Sequence, residues 1–132
     1  MTDSSYWWST LRALYGTSPV PDLNTCHFFY IHIDERGTSV TFGFETQQLP
    51  PHPKPEWSEQ AYNTFCFWIE FTGVTNLRVS GIRAEKERTV RIIGGDTADG
   101  LQASVNSDTR SIAFAATSSR VSHTSVYLQG PV

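Results

Sequence analysis

Four histidines, two cysteines and thirteen carboxylates are the residues of this chain that could do chemistry. A metal needs imidazole or thiolate groups converging from one side. His27 and His32 differ in strand parity, so simple alternation sends them to opposite faces. His52 falls in a proline-rich stretch and His123 far along the chain, and no metal is expected. A Cys–His nucleophile needs thiol and imidazole within hydrogen-bond reach, with a third group orienting the base. Cys26 and His27 are neighbours in a predicted strand and so face apart. Cys26 and Cys66 both fall in apolar strand-like runs, where an unpaired thiol is a small buried hydrophobe, and they form no Cys-x-x-Cys pair. IIGGDTADG (92–100) has the glycines of a phosphate loop without its Lys and Ser/Thr, and reads as a turn. Paired acids could do glycosidase chemistry. Here Asp34, Glu35, Glu85, Glu87, Asp96, Asp99 and Asp108 lie in turns, not on an apolar strand face that would shift their pKa. No catalytic residue and no cofactor is expected.

The elements that would position these residues are mostly strands. The chain has 132 residues, enough for one domain (1–132) with its own core. Aromatic residues make up 13% and charged residues only 17%, a balance that excludes a disordered chain and leans toward β-structure. A net charge of −3 argues against direct nucleic-acid binding, which needs a basic surface. MTDSSYWWSTL lacks the basic region and apolar core of a signal peptide. No apolar run approaches the length of a membrane span, so the expectation is a cytoplasmic protein with no membrane contact.

The spacing of Trp7, Leu11 and Leu14 predicts one helix over 4–15, capped by Ser4 or Ser5, ended by Gly16 and blocked by Pro19 and Pro21. A β-sheet region follows over 25–128. TCHFFYIHIDE and TSVTFGFE form a hairpin across Asp34-Glu35-Arg36-Gly37, with Gly37 supplying a positive φ. NTFCFWIEFTG turns Phe65, Phe67, Ile69 and Phe71 to one face, and TNLRVSG, RTVRIIG, LQASVN, RSIAFAA and SRVSHTSVYLQ complete about eight strands. No second helix is long enough for a crossover between parallel strands. The fold class is therefore mainly β: an antiparallel meander of about eight strands, a sandwich or open barrel, with one N-terminal helix. The strands around Tyr30 and Trp68 are apolar on both faces, which calls for a cover on each side. The helix, with Trp7, Trp8 and Leu11, is expected to supply the second one.

LPPHPKPEW (49–57) is a proline-rich connector. Its prolines fix φ and remove donors, so it cannot enter a sheet. Set between two strands and followed by Trp57, it reads as a stiff link anchored by that indole. Trp7, Trp57 and Trp68 are the expected structural anchors.

In order along the chain, YWWSTLRALYGTSPVPDL, FYIHIDERGTSVTFGFE, LPPHPKPEWSEQAYNTFCFWIEFTGVTNLRVSG and SIAFAATSSRVSHTSVYLQ resemble the immunity protein 50 family of bacterial polymorphic toxin systems. The resemblance implies a non-enzymatic antitoxin that binds a cognate toxin and blocks it by stoichiometric occlusion. It transfers no contact residues. The acidic turn residues Asp34, Glu35, Glu85 and Glu87 are the expected contacts, suited to a basic toxin surface. The alternative is a small-ligand or carbohydrate-binding β-module using Phe28, Tyr30, Trp57, Tyr62 or Trp68 as an aromatic platform. An open aromatic-lined cavity would favour the module, and a filled core the inhibitor.

Overall fold

The computed structural model describes residues 9–81, 88–94 and 100–130. Within them, α1 (Ser9–Tyr15) precedes eight strands: β1 (His27–Asp34), β2 (Ser39–Thr46), β3 (Thr64–Thr72), β4 (Thr75–Ser80), β5 (Thr89–Gly94), β6 (Leu101–Asn106), β7 (Ser111–Ala116) and β8 (Ser118–Tyr127). They form two four-stranded antiparallel sheets, ordered β1-β2-β3-β8 and β4-β7-β6-β5. Neither sheet closes into a barrel. Consecutive strands pair through β1-β2-β3 and β5-β6-β7, as a meander does. The chain changes sheets twice, after β3 and after β7, so β8 pairs with β3 and β4 with β7.

The two crossings lie side by side. Thr117 donates both its backbone N–H and its hydroxyl to the Thr72 carbonyl, at 2.9 and 3.1 Å. Gly73, at φ +64°, leaves room for the Thr117 side chain that a Cβ would strike.

Alternation fills the space between the sheets. Phe42 and Phe44 of β2 and Phe65, Phe67, Ile69 and Phe71 of β3 are fully buried. The Phe114 ring of the second sheet reaches Phe71 and Phe42 with centroids 5.1 and 5.8 Å apart. These are the edge-on arrangements aromatic rings prefer.

The described part of the helix joins this inner core and does not cover the outer face of the first sheet. Leu11, Leu14 and Tyr15 are buried in the core cluster, and the Tyr15 ring meets Phe65 edge-on at 6.1 Å. Tyr30 on the outer face remains 40% exposed, so the expected placement of Leu11 over it is wrong. The apolar stripe of a short helix goes where the deepest apolar surface is, here the flank of the core beside Phe65. Trp7, Trp8 and the expected caps Ser4 and Ser5 lie outside the described residues.

At the first hairpin, Asp34 and Gly37 have exchanged their expected importance. Asp34 Oδ1 accepts the backbone N–H of Arg36 and of Gly37, at 3.0 and 3.2 Å. The positive φ falls on Thr38, at 49°, and not on Gly37. The carboxylate sets the turn.

Candidate functional site

A bulge controls what the first sheet shows to solvent. In the β1–β2 register, Phe28 pairs with Phe44 and Tyr30 with Gly43, leaving Phe29 as an extra residue. His27 is opposite Glu45 and His32 opposite Thr41, two positions of equal parity. His27 and His32 therefore share the outer face, and the expectation that they point apart fails because one inserted residue reverses the alternation. His123 of β8, paired with Trp68, joins them there.

Ring contacts run across the middle of this face. Trp68 is half-buried, with Phe29 edge-on at 5.7 Å and His123 at 5.0 Å. Beside them Glu45 gathers three partners. His27 Nδ1 lies 2.9 Å from Oε1, the Tyr127 hydroxyl donates to Oε2 at 2.8 Å, and Cys66 Sγ is 3.9 Å from Oε2. A hydrolytic triad places histidine between nucleophile and acid; here the acid stands between thiol and imidazole. Burial, then the Glu45 charge, pushes the Cys66 thiol up to about 11. The hydrogen bond to Glu45 pushes the Tyr127 phenol up to about 12. Neither supplies an anion at neutral pH.

Cys26 lies at the foot of β1, just after a 3-10 turn (Leu23–Thr25) and outside the strand expected to contain it. It is buried in the core cluster, where burial also raises its thiol to about 11. Both cysteines are free. Among the described residues, no three or more His, Cys, Asp and Glu side chains are grouped to hold a metal.

Of the expected anchors, Trp57 is 6% exposed, packing on Phe65 and Tyr62 with centroids 5.8 and 6.4 Å away. It sits in a 3-10 turn (Pro55–Glu59) opened by proline. The backbone N–H of His52 donates to the Leu14 carbonyl at 2.9 Å, tying the connector to the end of the helix. The proline segment is thus a strut between helix and sheet. Trp68 packs on the outer face, and Trp7 lies outside the described residues.

Of the expected acidic contacts, Asp34 and Glu35 lie within the described residues. Asp34 and Glu35 stand at one end of the sandwich, where the Val74 N–H of the β3–β4 crossing donates to Thr38 O at 2.9 Å. Glu85 and Glu87 lie outside the described residues. Arg88 packs against the foot of β1. Its Nη2 donates to the Cys26 carbonyl at 2.7 Å, and Val90 N–H donates to Asn24 Oδ1 at 2.7 Å. The glycine-rich turn at 92–100 also lies largely outside the described residues, with 95–99 not described.

Sequence reasoning passed over the outer face of the second sheet. Arg78 pairs with Ala113, Ala113 with Ser104, and Ser104 with Arg91, so two arginines end one row across four strands. They border a surface concavity of about 370 Å³.

Two antiparallel sheets around a closed aromatic core define a β-sandwich that offers outer faces. Phe28 and Trp57 belong to the core, while on the outer face of the first sheet Tyr30 is exposed and Trp68 half-buried. The sequence profile of immunity protein 50 matches residues 9–127, and the chain belongs to that family. No curated protein and no solved structure gave a match.

Proposed function

We propose that this chain is an antitoxin that binds a cognate bacterial toxin domain and neutralises it by covering the toxin's working surface. The action is stoichiometric and needs no catalysis by the chain, and its place is the cytoplasm of the producing cell. The observation that carries this reading is the family match across nearly the whole chain, residues 9–127. The filled core supports it against the carbohydrate-binding module. Such a module needs aromatic rings open in a cleft, whereas Phe28 and Trp57 are consumed in packing.

An inhibitor of this kind should hold its target at nanomolar affinity, about −12 kcal/mol, across roughly 1,600 Å² of interface. The test uses the toxin domain encoded beside this chain's gene. Calorimetry should give one chain per toxin domain, and an equimolar amount should abolish the toxin's activity. A toxin that stays fully active with the chain in excess would sink the proposal.

A further inference from the structure

We infer that the outer face of the second sheet, between Arg78 and Arg91, is a docking trough for a carboxylate-bearing segment of the protein partner. The inference rests on the antitoxin reading and names a surface and a partner chemistry for it.

The trough follows from register. The edge strands β4 and β5 form its walls with Arg78 and Arg91, while the central strands β7 and β6 form its floor with Ala113, Ala115 and Ser104. In β7 the buried positions include the large Ile112 and Phe114, while the outward ones are the small Ser111, Ala113 and Ala115. The sheet thus keeps its bulk inside and leaves its outer middle low. The two arginines share one row, three strand spacings apart, or about 14 Å at roughly 4.8 Å per strand. Walls at that separation suit a chain segment lying along the floor better than one small ion.

Charge specifies the occupant. The chain carries a net −3, yet among the described residues the lining of the concavity includes two cations and no carboxylate. Both arginines are exposed. Among the described residues, neither guanidinium is engaged in an ion pair or side-chain hydrogen bond. Gln102 and Asn76 on the same concavity add amide donors. An unengaged guanidinium presents a planar fork of donors that matches a carboxylate two-for-two. A nucleic-acid strand is the poorer fit. Two cations neutralise too few phosphates for strong binding, and the acidic remainder of the chain repels a polyanion. Arginine is also the charged residue most at home in protein–protein interfaces.

The experiment compares the parent chain with the double variant Arg78→Glu/Arg91→Glu against the toxin domain encoded beside it. Both side chains are exposed, so the unfolding midpoint should not move. Affinity should fall by about 100-fold or more, and Asp/Glu→Lys changes in the toxin segment that docks here should restore it. Three results overturn the inference. One is a double variant that binds within a few-fold of the parent. Another is loss of binding through Phe29→Ser/Tyr30→Ser on the first sheet while the arginine variant binds normally. The third is a single-stranded RNA that binds the trough in preference to the toxin. A parent chain with no affinity for the toxin sinks the antitoxin reading itself, and this inference with it.

Discussion

Trp68 of β3 lies across Gly43 of β2, so closely that a Cβ at position 43 would stand 2.9 Å from indole Nε1 and 2.7 Å from the Tyr30 Cβ. The glycine is the gap that lets the indole fold onto its own sheet. Gly43→Ala should therefore destabilise the fold by about 1–3 kcal/mol, the usual range for overpacking. Trp68→Ala, which empties a half-buried site, should cost about 2 kcal/mol, less than for a fully buried aromatic. The double variant should cost less than the sum, because the alanine no longer meets an indole. Urea midpoints of the four proteins measure the coupling. Strict additivity would show that the two residues do not share that space.

The connector separates its prolines from its tryptophan in energy. Trp57→Ala removes a nearly buried indole from Phe65 and Tyr62 and should cost about 3 kcal/mol or more. Pro53→Ala and Pro55→Ala act mainly by loosening the unfolded chain and should each cost at most about 1 kcal/mol. Both proline variants should bind the toxin as the parent does. A stably folded proline variant with greatly weakened toxin binding would turn this strut into a recognition motif.

These two sites also mark what the sequence could convey. The anchor role of Trp57 was legible because prolines forbid strand pairing and an aromatic beside them needs a home. The inward faces of β2 and β3 were legible because side chains in a strand alternate with a period of two. That same rule misplaced His27 and His32, since the bulge at Phe29 shifts the count and leaves no composition signal. The cover of the outer face was assigned to the helix because a two-sided apolar strand needs one. Leu11 went to the core instead, Trp7 and Trp8 lie outside the described residues, and Gly43 lets Trp68 lie down on its own sheet. The Arg78–Ala113–Ser104–Arg91 row was invisible for a different reason. Its members come from four strands whose pairing depends on where the chain changes sheets, a long-range choice that local pattern does not encode.

Alkaline pH should weaken the fold in a defined window. Cys26 and Cys66 rise from 9.0 to about 11, both chiefly through burial, and Tyr127 rises from 10.0 to about 12 through its hydrogen bond to Glu45. A group whose folded pKa is raised contributes stability that is complete below its unfolded value and is lost as pH climbs through the folded one. Urea midpoints should hold level to about pH 9 and then fall progressively to about pH 12. At pH 8 both thiols should react slowly with a maleimide in the folded protein and rapidly in urea. Glu45→Gln should bring the Tyr127 phenol back toward its ordinary value, read as an earlier rise in tyrosinate absorbance. An unmoved phenol would remove Glu45 as the cause.

The β1–β2 turn offers two substitutions of opposite sign. Asp34 Oδ1 holds the N–H groups of Arg36 and Gly37, so Asp34→Ala strips both of their acceptor and should cost about 1 kcal/mol. Thr38 occupies the left-handed region at φ 49°, where a residue with a Cβ is strained by roughly 1–2 kcal/mol. Glycine there relieves the strain but adds freedom to the unfolded chain, which costs roughly 0.5–1 kcal/mol. The strain is the larger of the two, so Thr38→Gly should raise stability by up to about 1 kcal/mol. Its side chain offers little in return, since the hydroxyl reaches only the adjacent Gly37 carbonyl. Thermal unfolding midpoints of the two variants should therefore fall on opposite sides of the parent. A Thr38→Gly midpoint below the parent's would mean that position 38 is not strained.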